Sequence, residues 1–193
     1  MNSQRHPPAG LLVAYRRDRI MIDGGPGAAP SGPVMAWLVT DEHAELRGEL
    51  RRLAGEHGIG PEVTALRLGE LAIEPHRVAH TSHPAYGYLL RSPLASAAWA
   101  PEFWEFPRWA SGVDLLFAEA AGWDRPIRFR GGVGGHLPVV QVAAEARRHD
   151  VRRVVYAHLG RPALRAIDRG ARPPFDEWGS PGDGYTLPGR IPS

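Results

Sequence analysis

The stretch VMAWLVTDEHAELRGELRRLAGEHG, residues 34–58, changes its period part-way along. Val34 to Thr40 is apolar up to its closing threonine, which suits a strand covered on both faces. From Asp41 to about His57 the spacing becomes helical. Leu46, Leu50 and Leu53 lie four and three apart, and Gly58 is placed to end the helix. At the junction, Asp41, Glu42 and Glu45 surround His43. Acids there complement the positive end of a helix dipole. Carboxylate and imidazole are also the ligands that divalent cations take. Both readings stand at this point.

Working outward, GLLVAY (10–15) and RIMIDGG (19–25) read as two strands joined by a polar turn, followed by a Gly/Pro-rich loop. After the helix, 63–69 and 71–80 read as short strands turning at Gly69. Residues 85–92 and 95–101 form a hairpin around Ser92-Pro93. GVDLLFAEA (112–120) is a strand and 122–138 a long loop. Residues 139–150 are a helix, 151–160 a buried strand and 162–170 a short helix. The Pro/Gly-rich remainder, 171–193, is expected as a tail that wraps the surface or is loosely ordered, leaving 1–170 as the domain. Strands first, then alternating helix and strand, indicate a layered α/β domain with a mixed sheet or two sheets.

Composition narrows the chemistry. With 193 residues, 43% hydrophobic and 23% charged, the chain fits one globular domain. Net charge is +2, and all 23 basic residues are arginine, scattered rather than gathered in one segment. Nucleic acid is therefore not the expected partner. There is no cysteine, which excludes disulfides, thiol catalysis and Cys-ligated zinc. Any metal must be held by histidine and carboxylate. No apolar run approaches the ~18 residues of a membrane span, and the first ten residues lack a signal-peptide core. A cytoplasmic protein acting on a small molecule is the expectation.

Polar residues recur where predicted strands end: Asp23, Asp41 with His43, His80, Glu102, Glu119 and His158. Ligand sites in α/β sheets gather there, because rigid strands position the residues that follow them. His80 and His83, in HTSHP, also suit a turn. His136, in GGVGGHLP, also suits a loop histidine bonded to backbone. His158 closes the apolar run VVYA and needs a partner if buried. His6, His57, His76 and His149 read as solvated.

The order of these segments resembles the metallo-β-lactamase fold superfamily over roughly Asn2 to Gly170. NSQRHPPAGLLVAYRRDRIMIDGGPG is similar to its early hairpin and Asp-Gly-Gly turn. WLVTDEHAELRGELRRLA resembles the strand, metal loop and helix that carry H-x-H-x-D-H, and HTSHPAYGYLLRS the segment that supplies a further histidine. AAWAPEFWEFP resembles the strand leading to the metal-bridging aspartate. GGHLPVVQVAAEARRHDVRRVVYAHLGRP resembles the closing Gly-His loop, helix and strand. The branch it most resembles includes tRNA 3′-processing endonucleases, phosphonate-pathway phosphodiesterases and an accessory protein of pyrroloquinoline quinone synthesis. The resemblance implies a four-layer αββα sandwich. The family's usual first strand is missing, so a sheet edge is left that homo-oligomerisation is one way to cover.

The departures shape the expected site. Against H-x-H-x-D-H the chain reads Asp41, Glu42, His43, Ala44, Glu45, Leu46, and the bridging aspartate is Glu102. The resemblance implies a first metal site of Asp41, His43, His80 (or His83) and Glu102, with His80 preferred because it ends a strand. The second site, of Glu45, Glu102 and His158, loses a ligand to Leu46. One divalent ion or none is expected rather than two: zinc, with manganese or iron competing as carboxylates replace imidazoles. The implied activity is a metal-dependent hydrolase cleaving an ester or phosphodiester, with His136 as general acid. Asp23 and Glu119 would orient loops and ligands, and Arg128 or Arg130 would hold an anion. The alternative is a catalytically inactive binding or accessory protein on the same fold.

Overall fold

The alternation of buried positions along the strands builds two sheets face to face, in a computed structural model that describes residues 6–187. The first sheet has the order β1 (Gly10–Tyr15), β2 (Asp18–Asp23), β3 (Ala36–Leu38), β4 (Pro61–Glu62). The second has seven strands. They run from β5 (Leu66–Leu68) through β6 (Leu71–Val78), β7 (Ala85–Arg91), β8 (Ser96–Ala100), β9 (Leu115–Ala120) and β12 (Val154–Leu159) to β13 (Glu177–Trp178) at the far edge. A two-stranded ribbon, β10 (Ile127–Arg128) with β11 (Gly135–His136), lies inside the segment expected as a long loop.

Because side chains alternate along a strand, each sheet serves two layers. Ile20 and Ile22 of β2 meet Tyr88, Trp99, Leu115 and Phe117 between the sheets. Met21, on the opposite face, packs with Trp37 against Leu50, Leu53 and Ala54 of α1 (Arg47–Gly55). On the other side, Leu116, Ala118 and Ala120 of β9 pack against Val139, Val142, Ala143 and Ala146 of α2 (Val139–Arg148). The result is helix, sheet, sheet, helix, the four-layer αββα arrangement. β9 is buried at all six positions, as a parallel strand between two neighbours should be. α3 (Arg161–Asp168) follows β12 and buries Ala163, Leu164 and Ala166.

Several expectations are corrected. The helix does not start at Asp41 but at Arg47. Asp41 Oδ1 accepts the His43 backbone N–H at 2.7 Å, and this local bond competes with the helical pattern. Residues 41–46 are turns, so their acids do not cap a dipole. The strand expected over 34–40 is only Ala36–Leu38. Within the expected tail, β13 joins β12 in parallel, and Asp176 accepts the Val154 N–H at 2.7 Å. His6, His57, His76 and His149 are each only partly exposed. The rings of the last three lie beside Trp37, Trp109 and Phe106, at 6.0, 5.1 and 4.8 Å, since imidazole packs well on aromatic faces. The expected loss of the family's first strand concerns chain before Gly10, where residues 1–5 lie outside the described residues. No helix among the described residues is long and apolar enough to cross a membrane.

Candidate metal centre

β8, β9 and β12 run parallel, and β6 runs the same way two antiparallel steps along. Their C-terminal ends therefore share one rim. His80 lies just past β6, Glu102 just past β8, Glu119 in the last turn of pleat in β9, and His158 near the end of β12. A register shift between Tyr156 and His158 sets His158 opposite Glu119. Bulges re-aim side chains in this way. β11 brings His136 to the same place.

The side chains converge. Glu102 stands between two imidazoles, 3.5 Å from His80 Nε2 and 3.3 Å from His158 Nε2. His136 Nδ1 donates to Glu119 Oε2 at 2.7 Å, and its ring centroid lies 4.8 Å from that of His80 and 5.5 Å from that of His158. His80 Nδ1 is 2.9 Å from the Gly135 carbonyl. A carbonyl only accepts, so Nδ1 carries a proton and Nε2 is the ring nitrogen that faces Glu102. Phe129 closes one side, with its ring 5.4 Å from His80 and 5.3 Å from His136.

Charge follows from these contacts. Burial alone would raise Glu119, but the His136 hydrogen bond and the nearby His158 and His136 rings bring it down to about 2. Burial would lower His158, but the negative charges of Glu102 and Glu119 outweigh it and raise it to about 9. His158 Nδ1 is buried, 3.5 Å from Glu119 Oε1, without a hydrogen-bond partner. Such an atom beside two carboxylates marks a place that takes positive charge.

A divalent ion has two candidate donor sets here. Glu119, His136 and His158 have ligand atoms all within 4.8 Å of one another, the one such triple among the described residues. Yet Glu119 is spent on structure. Oε2 accepts Phe103 N–H and His136 Nδ1–H at 3.1 and 2.7 Å, and Oε1 accepts Ala121 N–H at 2.7 Å. Among the described residues Glu102 makes ion pairs only, and its side chain is 32% exposed, so its lone pairs are open to a cation. His80 Nε2, His158 Nε2 and Glu102 make the second candidate set; their ligand atoms do not all lie within 4.8 Å of one another, so the side chains would have to close around an ion, and their Nδ1 atoms face oxygen acceptors as metal-binding histidines require.

The 41–46 segment makes its bonds elsewhere. Asp41, 10% exposed at its side chain, gives Oδ2 to His83 Nε2 at 2.7 Å and Oδ1 to the His43 N–H. His43 is 57% exposed, with its ring 5.3 Å from that of His83. Glu45 is exposed. None of the three makes a hydrogen bond or ion pair with His80, Glu102 or His158. The expected ligands Asp41, His43 and Glu45 thus share no hydrogen bond or ion pair with the cluster, and Asp41 is engaged by His83 and backbone. Leu46 has joined the core under α1. Of the paired candidates, His80 belongs to the cluster and His83 to Asp41. Arg128 lies over the Trp104 ring at 5.5 Å.

Asp23 fastens the two sheets behind the site. It accepts the Thr40 N–H at 2.7 Å, the Thr40 hydroxyl at 2.9 and 3.0 Å, and Trp99 Nε1–H at 2.7 Å. Burial raises it to about 6 despite these bonds. Sequence reading missed Phe129, though an aromatic residue alone in RFRGG was a visible signal. It also missed the Asp41–His83 pair, which no spacing announces.

No protein-family profile and no curated protein matches the chain. Solved structures do. The metallo-β-lactamase fold protein YhfI from Bacillus subtilis superposes with a TM-score of 0.66 at 13% identity, covering 91% of this chain and 88% of that one. A diphosphatase of the PhnP family gives 0.63 at 16%, covering 92% and 83%. Zinc-bound PqqB from Methylobacterium extorquens gives 0.63 at 12%, covering 93% and 86%. The chain has the metallo-β-lactamase fold.

Proposed function

We propose that this chain is a metal-dependent hydrolase that holds one divalent ion, zinc or else manganese or iron, on His80, Glu102 and His158, and cleaves an ester or phosphodiester in a small molecule. One observation carries the reading: Glu102 lies between two imidazole Nε2 atoms, with a third histidine, His136, held beside them by a buried glutamate. Neighbouring folds that include a diphosphatase and a zinc-bound protein support it.

When bound, the ion supplies a nucleophile at neutral pH and stabilises negative charge on the scissile group. The chain does the rest. Glu119 fixes the His136 ring through Nδ1 and leaves Nε2 to deliver a proton to the leaving oxygen. Phe129 keeps bulk water from one side of the imidazoles. Asp23, through Thr40 and Trp99, fastens the two sheets behind the β8 end that carries Glu102.

The test is turnover of bis(4-nitrophenyl) phosphate and 4-nitrophenyl acetate after loading with zinc, manganese or iron. His136→Ala should lower kcat by about 10²–10⁴-fold with metal content unchanged. Metal-loaded protein that cleaves neither substrate would overturn the hydrolase reading. It would favour the second one, a binding or accessory protein. That reading is supported by the conversion of family ligand positions to structure: Leu46 to core and Asp41 to the His83 pair.

A further inference from the structure

His80 is held by more than the strand before it. Its carbonyl accepts the Gly135 N–H at 3.0 Å, while its Nδ1–H reaches the Gly135 carbonyl at 2.9 Å. Backbone and side chain of one histidine are thus bonded to both polar groups of one glycine. That pairing needs the preceding residue to lie flat on His80. At Gly134, φ is +139°, and a Cβ there would fall 1.9 Å from the His80 carbonyl oxygen and 2.6 Å from its carbon. Both neighbours are backbone and cannot swing aside. The Gly134 carbonyl is itself tied to Phe129 N–H at 2.9 Å, so the segment cannot easily back away.

We propose that Gly134 is a positioning residue. By fitting against His80 without a side chain, it lets Gly135 fix the His80 ring as the Nδ1–H form, with Nε2 presented to Glu102. This rests on the reading of His80 as a ligand, and it extends that reading to the loop before His136. The same loop then sets two histidines at once: His80 through Gly135 and His136 through the next residue in β11. A substitution two residues before the candidate acid would disturb the metal side first.

Gly132 provides the comparison. Its φ is +70°, also strained for any side chain, but a Cβ there meets nothing within 4 Å. Gly132→Ala therefore carries the backbone strain without pressing on His80. The experiment is a long-range ¹H–¹⁵N correlation of the histidine rings in metal-free wild type, Gly134→Ala and Gly132→Ala, followed by cobalt(II) titration of each. His80 should be the Nδ1–H tautomer in wild type and Gly132→Ala, and should lose it in Gly134→Ala. Cobalt affinity should fall about 10–100-fold in Gly134→Ala alone, the usual effect of disturbing a ligand's orienting partner. An Nε2–H ring for His80 in wild type overturns the proposal whether or not the variants fold. So does a Gly134→Ala protein that keeps both the tautomer and the affinity. Wild type that shows the expected tautomer but binds no cobalt supports the clamp and sinks the metal reading, so the two failures are distinct.

Discussion

Two regions of this molecule set carboxylates beside histidines, and they are held differently. The rim formed by β6, β8, β9, β11 and β12 gathers His80, Glu102, Glu119, His136 and His158 into contact. The 41–46 segment turns on itself, with Asp41 bonded to His83 and to backbone, and with His43 and Glu45 in solvent. Sheet register fixes the first set, since each residue lies in or just past a hydrogen-bonded strand. Nothing comparable fixes the second. In the loop, Asp41 pairs with His83 and with the His43 N–H of its own turn. The strand ends gather a charged cluster, and the loop satisfies its acid locally.

The sharpest way to break this contrast is to remove the anchor of the rim. Glu119→Ala leaves His136 Nδ1 and two backbone N–H groups in the core without their acceptor. It should cost about 3–5 kcal/mol, the usual result of breaking a buried pair, measured by urea denaturation. Glu102→Gln keeps the shape and removes the charge, and should weaken metal binding by at least about 10–100-fold, measured by competition with a chromogenic chelator. Asp41→Ala should cost only about 1–2 kcal/mol, from lost hydrogen bonds to His83 and the turn. His43→Ala, at an exposed position, should stay within about 0.5 kcal/mol and leave metal affinity unchanged.

Acid and base sharpen the same contrast. His158 is raised from 6.5 to about 9 in the metal-free fold, so its contribution is full below pH 6.5 and is lost as pH rises through 9. Glu119 is lowered from 4.5 to about 2, so its contribution is full above pH 4.5 and is lost as pH falls through 2. The midpoint temperature in chelator should decline on the alkaline side between those two His158 values, and His158→Ala should flatten that limb. A decline unchanged in the variant would place its cause elsewhere.

Much of the layer order was legible beforehand. The short apolar runs at β1, β2 and β9 and the helical spacing of Leu46, Leu50 and Leu53 needed no tertiary knowledge. The start of α1 was not legible. Asp41, Glu42 and Glu45 look like an acidic first turn, and only the Asp41 bond to the His43 N–H shows otherwise. The strand-end rule found His80, Glu102, Glu119 and His158. It could not show which would meet, because that depends on a single register shift in β12. Choosing His80 over His83 by spacing alone was equally out of reach. The decision lies with Gly135, 55 residues away in the chain.

The strand ends, and not the 41–46 loop, are proposed to hold the metal. Inductively coupled plasma mass spectrometry on protein purified without a metal-affinity tag tests this directly. The samples are wild type, His80→Ala with His158→Ala, and Asp41→Ala with His43→Ala. About one equivalent of metal in wild type and in the loop variant, and none in the strand-end variant, is the predicted result. Loss of metal from the loop variant, or none in wild type after zinc, manganese and iron are offered, would contradict it.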